Sequence, residues 1–357
     1  MKRIRILVAD DSALMRRTLR QLLEADPEFE VVAAARDGED AVQKARELRP
    51  DVISMDINMP KVDGITALQV IIEEAICPVV MLSSLTHKGA VTTFECLELG
   101  AFDYVGKPDG TVSSELGSVA RELILKLKAA AATGSLQRTG KLRRARREEL
   151  ARSVPELAAP VSAPPTSAVP FKAITIGIST GGPATIMEVL PHLPRALAGA
   201  VFLVQHMPVT FTRAFARRLD EACELTVVEA EAGMEVQPGF CYVARGDSHL
   251  TLFRKLTGQV ILRTPQTPAT LFVPSVNVMM ESVLAVYGRE TIGVLMTGIG
   301  SDGADQMMRI KEAGGYTIAE SEESCVVYGM PREVIERGGA CEVRPSWEIA
   351  KAVLRRF

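Results

Sequence analysis

Through residues 1–128, short apolar runs alternate with segments whose apolar residues recur at three- and four-residue spacing. The runs fall at 4–9, 29–34, 51–56, 78–83 and 102–105. Each has the length and bounding residues of a buried strand. Between the first two runs, Leu14, Met15, Thr18, Leu19, Leu22 and Leu23 share one helical face. Five strand–helix units in succession predict a parallel sheet with helices on both faces. The alternation resumes at Phe171. It predicts strands at 173–178, 200–205, 225–229, 291–296 and 316–319, and helices at 183–190, 211–223, 276–287, 302–313, 331–336 and 347–356. Segments 239–244, 249–254 and 259–264 predict antiparallel hairpin strands. The expected fold class is α/β twice over. An N-terminal (βα)5 domain spans 1–128, and a C-terminal doubly wound parallel sheet with a β-hairpin insertion spans 171–357.

Composition changes between these halves. Residues 129–147 hold an alanine run and a basic cluster that includes Arg138, Lys141, Arg143, Arg144, Arg146 and Arg147, and residues 153–170 are rich in Pro, Ala, Ser and Val. Residues 129–170 are expected to form a linker with a short helix near 142–151. A chain of 357 residues and net charge -3 has no global pull toward nucleic acid or membrane. Its start, MKRIRILVADDS, is unlike a secretory leader. No stretch approaches the ~18 apolar residues of a membrane span. The six cysteines are scattered without a C-x-x-C pair. This argues against zinc and disulfides and for reduced thiols in a cytoplasmic protein.

Candidate chemistry in the N-terminal half sits at strand ends. Asp10 and Asp11 end the first strand, Asp56 the third, Ser83 the fourth and Lys107 the fifth. In an open parallel sheet these ends share one edge, where ligands bind. Clustered carboxylates with room for water suit Mg²⁺. With Lys107, such an ion would neutralise a phosphoryl group arriving on a carboxylate, and Ser83 would hydrogen-bond it. Residues 1–128 resemble a two-component response-regulator receiver domain. The resemblance implies phosphorylation on Asp56 and Mg²⁺ held by the Asp10–Asp11 pair, Asp56 and the carbonyl of Asn58. It also implies switch roles for Ser83, Tyr104 and Lys107, and a cis bond before Pro108.

The C-terminal half opens on ITIGISTGG, a strand running into a glycine-rich turn. A dinucleotide fingerprint would need glycine where Ser179 stands and an acid where Gln205-His206 ends the next strand. No G-K-[ST] is present for a P-loop. Gly177-x-Ser179-x-Gly181 instead matches a nucleophile elbow. A nucleophilic serine needs a base, and the base needs a carboxylate. His206 follows one strand and Asp302 another, so both can reach Ser179. Spacing alone leaves a competitor open: His249 with Asp220 or Asp247, in the order serine, acid, histidine.

The segments IGISTGGP, LVQHMP, HL, PSVN, MTGIGSDGA, IKEAGGYTIAE and VVYGMP together resemble the catalytic domain of the chemotaxis protein-glutamate methylesterases over residues 172–357. That resemblance implies Ser179 as nucleophile, His206 as base and Asp302 as acid. Thr180 and Gly181 would line the site, and an oxyanion hole would lie near Ile299. It implies hydrolysis of glutamate γ-methyl esters on chemoreceptors, with deamidation of receptor glutamines. No cofactor is implied in this domain. The implied phosphodonor is a chemotaxis-type histidine kinase, and the unphosphorylated receiver would cover the catalytic site. Some positions depart from the family's usual residues. Ile178 stands for alanine, Ile299 for methionine, Val273 for arginine and Asn277 for aspartate, and AESEES replaces a Gln-Asp-Glu form. A paralogue serving its own receptor is therefore expected. The alternatives are a non-catalytic or altered-substrate adaptor, and a DNA-binding regulator using the arginine cluster.

Overall fold

The computed structural model describes residues 3–84, 86–107, 113–133 and 171–357, and the chain divides into two units. The first contains β1 (Ile4–Ala9), α1 (Ala13–Glu24), β2 (Phe29–Ala35), α2 (Gly38–Leu48), β3 (Val52–Asp56), α3 (Gly64–Glu73), β4 (Val79–Ser84), α4 (His87–Leu99), β5 (Asp103–Lys107) and α5 (Ser113–Ala132). The strands pair in parallel in the order β2-β1-β3-β4-β5. β3 is buried along its whole length, as the apolar run before Asp56 requires of a strand covered on both faces. Polar residues at the strand-to-helix turns start the helices. Ser12, Asp37 and Asp63 accept the backbone N–H groups of Met15, Asp40 and Thr66. Helix α5 runs on to Ala132, through part of the alanine run expected in the linker. The basic cluster, the helix expected near 142–151 and Pro108 lie outside the described residues.

The second unit contains β6 (Lys172–Ile178), α6 (Gly182–Thr185), β7 (Gly199–Gln205), α7 (Val209–Ala222), β8 (Thr226–Glu229), β9 (Phe240–Val243), β10 (Thr251–Arg254), β11 (Val260–Arg263), α8 (Val276–Tyr287), β12 (Thr291–Leu295), α9 (Ala304–Glu312), β13 (Tyr316–Glu320), α10 (Met330–Glu336), β14 (Glu342–Arg344) and α11 (Ser346–Leu354). Its main sheet has the order β14-β13-β12-β6-β7-β9-β8, all parallel. The chain leaves β6 for β7 on one side and later returns at β12 on the other. The C-terminal end of β6 is therefore the switch point where doubly wound sheets form a crevice.

Three expectations need correction. Segment 239–244 is not a hairpin strand: β9 lies between β7 and β8 and pairs with both in parallel. Its Cys241, Tyr242 and Val243 are all buried, which suits a strand covered on both faces. Only β10 and β11 form the antiparallel hairpin. The helix expected at 183–190 is the four-residue α6 followed by two 3₁₀ turns, the second containing Pro191. The helix expected from Asp302 starts at Ala304, after Gly303 in a left-handed conformation (φ 98°). Asp302 therefore sits in the turn before that helix.

Candidate active site

In the first unit the strand ends gather the expected groups. Single carboxylate oxygens of Asp10, Asp11 and Asp56 lie within 4.8 Å of one another. Lys107 Nζ bridges two of them, at 2.7 Å from Asp10 and 2.9 Å from Asp56. Burial pushes the Asp56 carboxyl above its ordinary pKa, reinforced by the Asp10 charge and opposed by Lys107 and the Asn58 N–H. Burial works against the Lys107 charge, yet its bonds to Asp10 and Asp56 hold it above the ordinary lysine value. Hard oxygen donors this close, with one ammonium among them, fit a small divalent cation. Ser83 is fully buried at the same edge and accepts a hydrogen bond from Thr93 Oγ1 at 2.7 Å. Tyr104 is buried, with Lys126 Nζ 5.1 Å from its ring centroid.

In the second unit, backbone register places the nucleophile candidate. β6 pairs with β7 so that Ile178 faces Gln205, which sets Ser179 beside His206. The His206 N–H donates to the Ile178 carbonyl at 3.2 Å. Gln205 Nε2 donates to the carbonyls of Ser179 (2.9 Å) and His206 (3.0 Å), tying the two strand ends together. From the other side, the Ser179 N–H donates to the Thr297 carbonyl at 2.9 Å, and Thr297 Oγ1 donates to the Thr180 carbonyl at 2.9 Å. Gly181 has φ 76°, and a Cβ there would strike Val326. A Cβ on Gly298 would come within 2.8 Å of Ser179 Cβ, so the loop after β12 passes directly against the serine.

Asp302 reaches over from that loop. Its Oδ2 accepts from His206 Nε2 at 2.9 Å and from the Val276 N–H at 2.7 Å. Its Oδ1 accepts from Ser275 Oγ at 2.9 Å and the Asn277 N–H at 3.0 Å. The acid is thus seated on the N-terminus of α8, where the helix offers free N–H groups and a positive dipole end. Burial alone would raise its pKa. The His206 bond and charge, with the N–H groups of Asn277 and Val276, outweigh burial and hold it below the ordinary 3.8. With Nε2 facing the carboxylate, Nδ1 is the other ring nitrogen of His206. It is buried and has no hydrogen-bond partner among the described residues. The N–H groups of Thr180, Gly181, Ile299 and Gly300 likewise make no hydrogen bond among the described residues.

The competitors are engaged in other contacts. His249 is fully buried; its Nδ1 accepts from the Ser275 N–H at 3.1 Å, and its Nε2 donates to the Pro268 carbonyl at 2.9 Å. Both nitrogens are used, so it is a fixed support. Asp220 accepts the Val227 N–H, and Asp247 pairs with Arg245 at the surface. Of the departing positions, Ile178 is fully buried, so it packs behind the turn, while Ile299 and Val273 are half-buried. The supporting roles of Ser275, Thr297 and Phe272 were not among the expectations. The serine just before the apolar run of α8 was a readable N-cap signal. Nothing local marked the others.

A receiver-type sheet and a second doubly wound α/β unit in one chain define a response regulator with an α/β effector. Residues 6–113 match the response regulator receiver domain and residues 174–353 match CheB methylesterase. A protein-glutamate methylesterase/protein-glutamine glutaminase of Syntrophomonas wolfei is 57% identical over 99% of both chains. One of Carboxydothermus hydrogenoformans is 51% identical, again over 99% of each. The crystal structure of the Thermotoga maritima CheB methylesterase catalytic domain is 40% identical and covers 53% of this chain and 100% of its own, with a TM-score of 0.52. The chain belongs to the CheB methylesterase family.

Proposed function

We propose that this chain is a phosphorylation-regulated protein-glutamate methylesterase and protein-glutamine glutaminase, with chemoreceptors as substrate. The observation that carries the hydrolase reading is the His206–Asp302 pair, pinned by the α8 N-terminus beside the β6 end that bears Ser179. His206 Nδ1 takes the Ser179 hydroxyl proton as Oγ attacks the γ-carbonyl of a methylated glutamate. Asp302 holds the Nε2–H and offsets the imidazolium charge. N–H groups of the two glycine-rich turns receive the oxyanion. The imidazolium returns the proton to the leaving oxygen and methanol departs. Water, deprotonated by the same histidine, then hydrolyses the acyl-serine to glutamate. From a glutamine side chain the leaving group is ammonia.

Residues 1–128 act as the switch, 171–357 as the catalytic unit and 129–170 as their connection. A chemotaxis-type histidine kinase supplies the phosphoryl group to Asp56, with Lys107 and Ser83 contacting its oxygens. Asp10, Asp11, Asp56 and the Asn58 carbonyl would hold Mg²⁺, which neutralises phosphate charge when bound. Phosphorylation acts by favouring a state of the chain in which the catalytic crevice is open to receptor. Among the described residues no helix is long and apolar enough to cross a membrane. The compartment we propose is the cytoplasm, together with the phosphodonor kinase. Methanol release from a methylated chemoreceptor preparation tests the reading. Wild type releases methanol and Ser179→Ala releases none; full activity in that variant would refute the serine mechanism.

A further inference from the structure

The connection from β11 to α8 carries an aromatic residue that the Ser179–His206–Asp302 geometry does not use. The ring of Phe272 lies flat on the His206 imidazole, with centroids 4.3 Å apart and planes 11° from parallel. Three residues on, the same segment delivers Ser275, Val276 and Asn277 to the Asp302 carboxylate. One short stretch therefore touches the face of the histidine and both oxygens of its acid. The stretch is itself anchored. His249 accepts the Ser275 N–H and donates to the Pro268 carbonyl, and Thr270 Oγ1 donates to the Phe272 carbonyl at 2.5 Å. Leu271 next to it is 84% exposed, whereas Phe272 turns inward and is half-buried.

An imidazole tied by one hydrogen bond at Nε2 can still swing about that bond. A parallel ring in van der Waals contact restricts the swing and shields one face from water. The His206 side chain is only 7% exposed, which keeps water from competing for Nδ1. The negative face of the phenyl ring also favours the imidazolium formed on proton transfer.

We propose that Phe272 is a positioning residue for His206, holding the imidazole plane so that Nδ1 can be presented to Ser179 during acyl transfer. The proposal rests on His206 being the base, and the test separates the two. In the full chain, wild type, F272L, F272Y and H206Q are compared by two measurements. One is kcat and KM for methanol release from a methylated receptor preparation. The other is the rate at which a small fluorophosphonate labels Ser179, which needs no receptor docking. F272L keeps apolar bulk without a planar face. It should lower kcat and labelling in parallel, by about 10–100-fold for a misplaced catalytic group, with KM unchanged. F272Y should restore both. If F272L melts below the assay temperature, F272M is used with the same criteria. Wild-type rates in the leucine or methionine variant would overturn the proposal. So would a rise in KM alone with labelling unchanged, which would make Phe272 a receptor contact. Fast labelling of H206Q would instead overturn the base assignment.

Discussion

Asp302 accepts hydrogen bonds from His206, Ser275, Val276 and Asn277, and every donor needs it ionised or at least unprotonated on the bonded oxygen. Asp302→Asn keeps the shape but removes the charge and places an NH₂ against donors. The histidine loses the tautomer that leaves Nδ1 free. We expect kcat to fall by about 10⁴-fold, measured as single-turnover methanol release. The pH dependence of stability has a definite sign. The folded pKa of Asp302 lies below its ordinary 3.8. Its stabilising contribution is therefore complete above that ordinary value and fades as pH falls through the lower, folded one. Denaturant unfolding of wild type against D302N should show their difference shrinking only at such acidic pH. A difference that shrinks between pH 6 and 8 would assign it to another group. At this scale the proposed triad was legible as candidates, because Ser179, His206 and Asp302 each follow an apolar run. Phe272 and Thr297 were not, because stacking and clasping depend on which loops meet.

Helix α8 is the element that joins stability to chemistry. Ser275 caps it by accepting the Val278 N–H, and its hydroxyl also donates to Asp302. Ser275→Ala removes both contacts. We expect a loss of about 1 kcal/mol on denaturant unfolding, as for a lost N-cap, together with a fall in kcat at unchanged KM. A stability loss with unaltered kcat would mean that the backbone N–H groups hold the acid unaided. The α8 boundaries were readable from serine followed by an apolar run. The fate of 239–244 was not: Phe240-Cys241-Tyr242-Val243 satisfies a hairpin edge and a covered parallel strand equally well, and its neighbours in the sheet decide. The three-residue β14 carries no apolar signal, with Val343 43% exposed, and exists because β13 offers it an edge.

For the whole molecule, control should run through Asp56. Acetyl phosphate with Mg²⁺ should raise methanol release by wild type and leave Asp56→Asn without stimulation. EDTA should abolish the stimulation of wild type, since the acidic cluster would lose its counter-ion. Stimulation that persists in Asp56→Asn would place the switch elsewhere. The sequence by itself determined two α/β units, the positions of most of their strands along the chain and the residues at the strand ends. Strand-length apolar runs and helical spacing are local properties, and a parallel sheet gathers its strand ends at one edge. Only the tertiary structure brought His206, and not His249, to Asp302. That choice turns on which strands flank β6 and on what already occupies each ring nitrogen, and neither is encoded within reach of either histidine.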